Sequence, residues 1–211
     1  LLSSPTGTRL IEVSTLVYEM PATIHRDRPR RPPPFVRGAP PLLTIDPYVP
    51  GGQPVVEWTG ASGQKIAAEL GVNSPVEMNR QALSVSLNNR PRRWLYFGHV
   101  SNAHDQPGTA SLHLTDAARM YGRAEPIGRH RPLTALDLFL GTTQVDAQEE
   151  GLEYPARPGI AGSELWPMPN RVAFIACESG AEHASSEPFG LIVSAMLAGA
   201  EYVTSTRWVM P

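Results

Sequence analysis

Two short strand-like stretches end in residues that can do chemistry. The only cysteine in the 211-residue chain, Cys177, closes the apolar run 172–176 in "VAFIACESG". His99 closes the aromatic run "WLYFGHV". A thiolate is a strong nucleophile, and a neighbouring imidazole can take or orient the thiol proton. If the two strands are parallel neighbours, both side chains emerge at one sheet edge, where open α/β sheets collect their reactive groups. Acyl transfer also needs donors for a developing oxyanion. The turn at Gly98 can aim the Val100 amide there, the Cys177 amide supplies a second donor, and Gly180 frees the chain to leave the nucleophile. Position alone does not decide the matter. A cysteine at a strand end is also a small buried hydrophobe, and a histidine there is also a satisfied structural residue.

The elements that would carry these residues follow from pattern. "PLLTIDPYVP" (41–50) reads as a short strand closed by proline turns, and "GQKIAAELG" (63–71) as a helix stopped by Gly71. Within "SPVEMNRQALSVSLNN" (74–89), Ser74 and Glu77 have capping-box spacing, with Pro75 at the first helical position. "GTASLHLTDA" (108–117) alternates Ala110, Leu112 and Leu114 with polar residues, as a half-exposed strand or hairpin does. "PLTALDLFLG" (132–141) predicts a helix capped by Thr134, and 142–169 a long loop. Ser185 or Ser186 can cap a helix over 187–198 with Pro188 in its first turn and Gly199 at its end; "EYVTSTRWV" (201–209) is a strand. Strands alternating with helices predict an α/β fold with a largely parallel sheet.

Composition narrows the function classes. Hydrophobic residues make up 41% and charged residues 18%, with a net charge of −2. This profile has no polybasic footprint for nucleic acid or anionic lipid. Lys65 is the only lysine, an arginine bias of the kind GC-rich bacterial genes carry. No apolar run approaches the ~18 residues of a membrane span. The opening "LLSSPTGTRLIEV" lacks the regions of a signal peptide. One cysteine excludes an intrachain disulfide framework and a multi-cysteine zinc site, and fits a reducing cytoplasm. The segment "HRDRPRRPPPFVRGAPP" (25–41) cannot form a regular helix and reads as an exposed arm. The expected organisation is an extension with a proline-rich arm over 1–40, then one domain over 41–211.

In this order, the histidine strand "LYFGHV", "ASLHLTD", "PLTALDL", the cysteine strand "VAFIACESG", the helix "EPFGLIVSAMLAGAEYV" and the closing "STRWVMP" resemble the CHAT-domain family of caspase-like cysteine peptidases. The resemblance runs from about residue 74 to the end, more than half of the chain. It implies a caspase-like sandwich, a mostly parallel sheet flanked by helices, with elements of the family's fold expected beyond Pro211. It further implies a cysteine endopeptidase acting through a thioester acyl-enzyme, with no metal or cofactor. His99 matches the family's catalytic histidine and Cys177 its nucleophile; the amides of Val100 and Cys177 would form the oxyanion hole. The expected partners are a protein or peptide substrate and a regulatory domain or partner protein, with the arm at 25–41 and the loop at 142–169 as gating or processing segments. The family usually has glycine where this chain has Val100, a change that keeps the amide but stiffens the turn.

Asp116, Glu178, Arg207 and Trp208 are the candidates for a pocket that selects the residue before the cleaved bond. As plain surface or core residues, Asp116 and Glu178 would be solvated acids and Trp208 a wall of the core. His183 ranks below His99 as a base because it falls in a loop. His104 and His113 do not make a metal pair, since no carboxylate falls at ligand spacing. The alternative function is a catalytically silent caspase-like module that binds proteins, motivated by Val100 and by the missing last elements.

Overall fold

The computed structural model describes residues 37–47, 60–70, 77–101, 108–142, 160–176 and 189–206, together with positions 34, 54, 56, 57 and 106. Cys177, Glu178, His183, Arg207 and Trp208 lie outside the described residues, as do His104, Ser74, Pro75, Ser185, Ser186, Pro188, the extension over 1–33 and most of the expected loop at 142–169.

Among the described residues four short strands form a parallel sheet in the order β1 (Leu42–Ile45), β2 (Trp94–Phe97), β6 (Arg171–Ile175), β7 (Tyr202–Ser205). Their side chains alternate with the period of a pleated strand. Trp94, Tyr96, Val172 and Phe174 enter the main core, while Leu95, Phe97, Ala173 and Ile175 are half-buried on the other face. Trp94 makes an edge-on contact with Phe174 at 5.5 Å and donates its indole N–H to Thr44 Oγ1 at 3.0 Å. This satisfies the one polar atom that such a large buried ring brings into a core. The chain is mixed α/β with helices flanking a parallel sheet, as the pattern predicted.

Between β2 and β6 the chain builds a small antiparallel sheet, β3 (Val100–Ser101), β4 (Ser111–Leu112) and β5 (Leu133–Thr134), in that order. The half-exposed strand expected at 108–117 is instead buried on both sides: Ser111 and His113 are enclosed along with Leu112 and Leu114. Polar residues are tolerated there because each finds a hydrogen-bond partner inside.

Among the described residues the helices are α1 (Ala61–Leu70), α2 (Arg80–Asn88), α3 (Ala135–Leu140), α4 (Gly162–Leu165) and α5 (Leu191–Leu197). Thr134 caps α3 as expected, in a capping box completed by Asp137. The capping box read at Ser74 and Glu77 is corrected. Helix α2 starts at Arg80, where Asn79 accepts from the Ala82 amide at 2.8 Å. The preceding residues are drawn elsewhere, since the Met78 carbonyl accepts from the Thr115 amide. The last helix likewise starts later than 187, with Gly190 at its N-cap and no side-chain cap. Its first six residues are all buried; Leu191 and Ala195 join the main core, while Ile192, Val193 and Met196 form a second cluster. Within the expected 142–169 loop the chain makes the single turn α4. A Cβ at Gly162 would run into the Leu138 carbonyl, so only glycine lets α4 lie this close to α3.

Candidate active site

The carboxyl ends of β2 and β6 define the site. The two strands are hydrogen-bonded parallel neighbours, with Phe97 in register with Ile175. Beyond that pair the Gly98 amide still donates to the Ile175 carbonyl at 3.2 Å. His99 therefore leaves β2 at the edge where β6 delivers Ala176, the residue before Cys177 in the sequence. On the other flank of β2, Asp46 ends β1 with a positive φ of 47°, its amide donating to the Phe97 carbonyl and its carboxylate accepting from the Val56 amide.

The turn carrying His99 is held by the phenol of Tyr96. Its hydroxyl lies 2.6 Å from the His99 carbonyl and 3.0 Å from the His113 carbonyl, and its oxygen accepts from the His113 amide at 3.1 Å. Burial, with the Asp46 carboxylate adding to it, pushes this phenol well above its ordinary range, so it stays a donor. A Cβ on Gly98 would come within 3.0 Å of both the Tyr96 hydroxyl and Pro47, which is why glycine occupies this position.

Strand β3 explains Val100. It pairs opposite Leu112 and packs against the main core, so a β-branched residue suits the strand it begins. The His113 amide donates to the His99 carbonyl at 3.1 Å, which makes Val100 and Leu112 a non-hydrogen-bonded antiparallel pair. In such a pair the Val100 N–H points away from β4. The valine side chain is accommodated, and its amide is turned away from the small sheet.

Behind His99 stands a chain of side chains that sequence reasoning missed. The His113 ring makes an edge-on contact with His99 at 6.3 Å and stacks on His130 at 4.9 Å. Its Nε2 is 2.6 Å from Ser101 Oγ, and its Nδ1 is 3.0 Å from His130 Nε2. With both rings neutral, protons can run in one direction or the other along this chain, one hydrogen per link. Burial, then the neighbouring His130 and His99 rings, lower His113 to about 4. His130 is lowered as well, chiefly by burial and further by Arg80, against nearby carbonyls of Asp116 and Leu114. The pair thus presents an uncharged wall to His99 at neutral pH. The available signal was His113 between two core leucines in "SLHLTD"; its partner, 17 residues away, gave none. No group of three or more His, Cys, Asp or Glu suited to a metal occurs among the described residues.

Asp116 is corrected as a solvated acid. It is buried, with both carboxylate oxygens 3.2 Å from the Arg80 amide at the start of α2. Burial raises its pKa, against the Arg80 guanidinium and amide that lower it. The same buried arginine reaches the carbonyls of Tyr121 and Pro132 and lies 3.5 Å from the Asp137 carboxylate. Asp116 belongs to this internal knot, which anchors α2 to the loop leading into β5.

Comparison with protein-family models, with curated proteins and with solved structures finds no match. Among the described residues no helix is long and apolar enough to cross a membrane.

Proposed function

We propose that this protein is a caspase-like cysteine endopeptidase of the CHAT-domain type, with His99 and Cys177 as its dyad. The observation that carries the reading is the register of β2 and β6. His99 follows Phe97 by two residues and Cys177 follows Ile175 by two, on adjacent parallel strands whose last residues are partners. In the reaction the Cys177 thiolate attacks the scissile carbonyl, and the oxyanion accepts from the amides of Val100 and Cys177. The C–N bond breaks as the leaving amine takes a proton from His99, leaving a thioester. Water then adds with its proton passing to His99, the C–S bond breaks and the thiolate returns. No step calls on a metal or cofactor.

Glu178, Arg207 and Trp208 stay the candidates for selecting the residue before the cleaved bond; Asp116, with its oxygens committed inside, leaves that group. A reducing compartment such as the cytoplasm suits a lone reactive thiol. A regulatory domain or partner protein would gate the enzyme. A peptide library varied at the residue before the scissile bond tests the activity. Hydrolysis that Cys177→Ala and His99→Ala each abolish is expected. Hydrolysis unchanged in Cys177→Ala would refute the reading, and an intact wild type that cleaves nothing in the library while binding partner proteins would favour the silent module.

A further inference from the structure

A concave surface lies at the opposite ends of the same strands. Leu43, Leu95, Ala173 and Thr204 are register partners in a row across all four strands of the parallel sheet, on the face turned away from the main core. With a spacing of about 4.8 Å between strands, this row spans roughly 14 Å. It floors an open groove of about 660 Å³. Arg92 and Arg93, just before β2, and Arg171, the first residue of β6, line its wall at the amino ends of the strands.

Among the described residues that line this groove, arginine outnumbers acid. Among the described lining residues three arginines face one acid, Glu69, and that carboxylate already lies 3.9 Å from Lys65 on the exposed side of α1. The Arg171 guanidinium sits 5.8 Å over the Tyr202 ring, which holds its fork at the groove. An apolar floor under an arginine rim fits an occupant that is apolar on one side and anionic on the other. At about 3.4 Å per residue, four residues of extended chain cover the floor.

We infer that this groove docks an acidic peptide segment of a partner protein, its carboxylates on Arg92, Arg93 and Arg171 and its apolar side chains on Leu43, Leu95 and Ala173. A small inorganic anion would leave the apolar row unused, and a nucleic acid would set phosphates, not apolar groups, against it. The inference does not depend on the peptidase reading, because the groove lies at the strand ends opposite His99.

The test is fluorescence anisotropy on the full chain with a labelled octapeptide of alternating Glu and Leu. All-Glu and alternating Gln–Leu octapeptides and a single-stranded DNA oligonucleotide serve as comparisons. Saturable binding of the Glu–Leu peptide is expected, at least tenfold tighter than each comparison. Arg93→Glu with Arg171→Glu, both at exposed positions, should weaken it at least tenfold. Thr204→Trp, which fills the groove from an exposed floor position without changing charge, should weaken it similarly. Absence of saturable binding at millimolar peptide, equal binding of the all-Glu peptide or the oligonucleotide, or binding indifferent to these variants would overturn the inference.

Discussion

Phe97 and Ile175 are register partners on neighbouring parallel strands, and the amide after Phe97 donates to the Ile175 carbonyl at 3.2 Å. This pairing gives the His99 turn a fixed origin at the edge to which β6 leads. The side chains around it then determine how firmly His99 is held.

Tyr96→Phe removes the hydroxyl that touches the His99 and His113 carbonyls and the His113 amide while keeping the ring in the core. A loss of about 1–2 kcal/mol of stability is expected from the unpaired groups. The NMR chemical shifts of the His99 ring protons should also move, because the turn loses its pin. Denaturant midpoints together with those chemical shifts provide the check; unchanged His99 ring shifts would show that the phenol does not position it.

Acid should destabilise the fold before its carboxylates account for the loss. His113 titrates near 4 in the folded chain and near its ordinary 6.5 when unfolded. Between those values the unfolded state binds more protons, so stability falls as pH drops from 6.5 towards 4, by roughly 3 kcal/mol in total for this group. His130, also lowered, acts in the same direction. Asp116, raised from its ordinary value, acts in the opposite direction at the acid end. Urea midpoints from pH 7.5 to 4.5 in the parent and in His113→Gln measure the effect. A shallower slope in the variant is expected; parallel slopes would contradict it.

Arg80→Met should cost about 3–5 kcal/mol, since it leaves the buried Asp137 without its cation and the Tyr121 and Pro132 carbonyls without their donor. Asp137 would still accept from the Thr134 amide and hydroxyl and from the Arg123 amide. A shift in the denaturation midpoint worth less than 1 kcal/mol would mean that the knot is not what anchors α2.

Local signals carried much of the fold. The aromatic run in "RRWLYFGHV" and the apolar run 172–176 marked β2 and β6, and Thr134 marked the start of α3, because each depends on neighbours within a few residues. Long-range pairing stayed hidden. Ser74 and Glu77 have the spacing of a cap, yet Asn79 and the distant Asp116 carboxylate take the start of α2. His113 looked like a polar residue on a half-exposed strand, and only the fold brings it against His99, Ser101 and His130. Asp116 looked solvent-facing because nothing near it in sequence announced Arg80. Of the candidate site, the chain order and strand ends were legible in the sequence, whereas the support behind His99 was not.

The central claim is that His99 and Cys177 act together, and alkylation of the thiol tests it most directly. Cys177 is the only cysteine, so the rate of iodoacetamide labelling reads one site. The rate is to be followed from pH 5 to 9 in the wild type and in His99→Ala. The account predicts a thiolate that reacts well below the ordinary thiol pKa of about 8.5 in the wild type, and a profile displaced upward by a unit or more in the variant, with labelling at pH 7 slowed about tenfold. Equal, slow labelling in both proteins, with a common profile near 8.5, would contradict it.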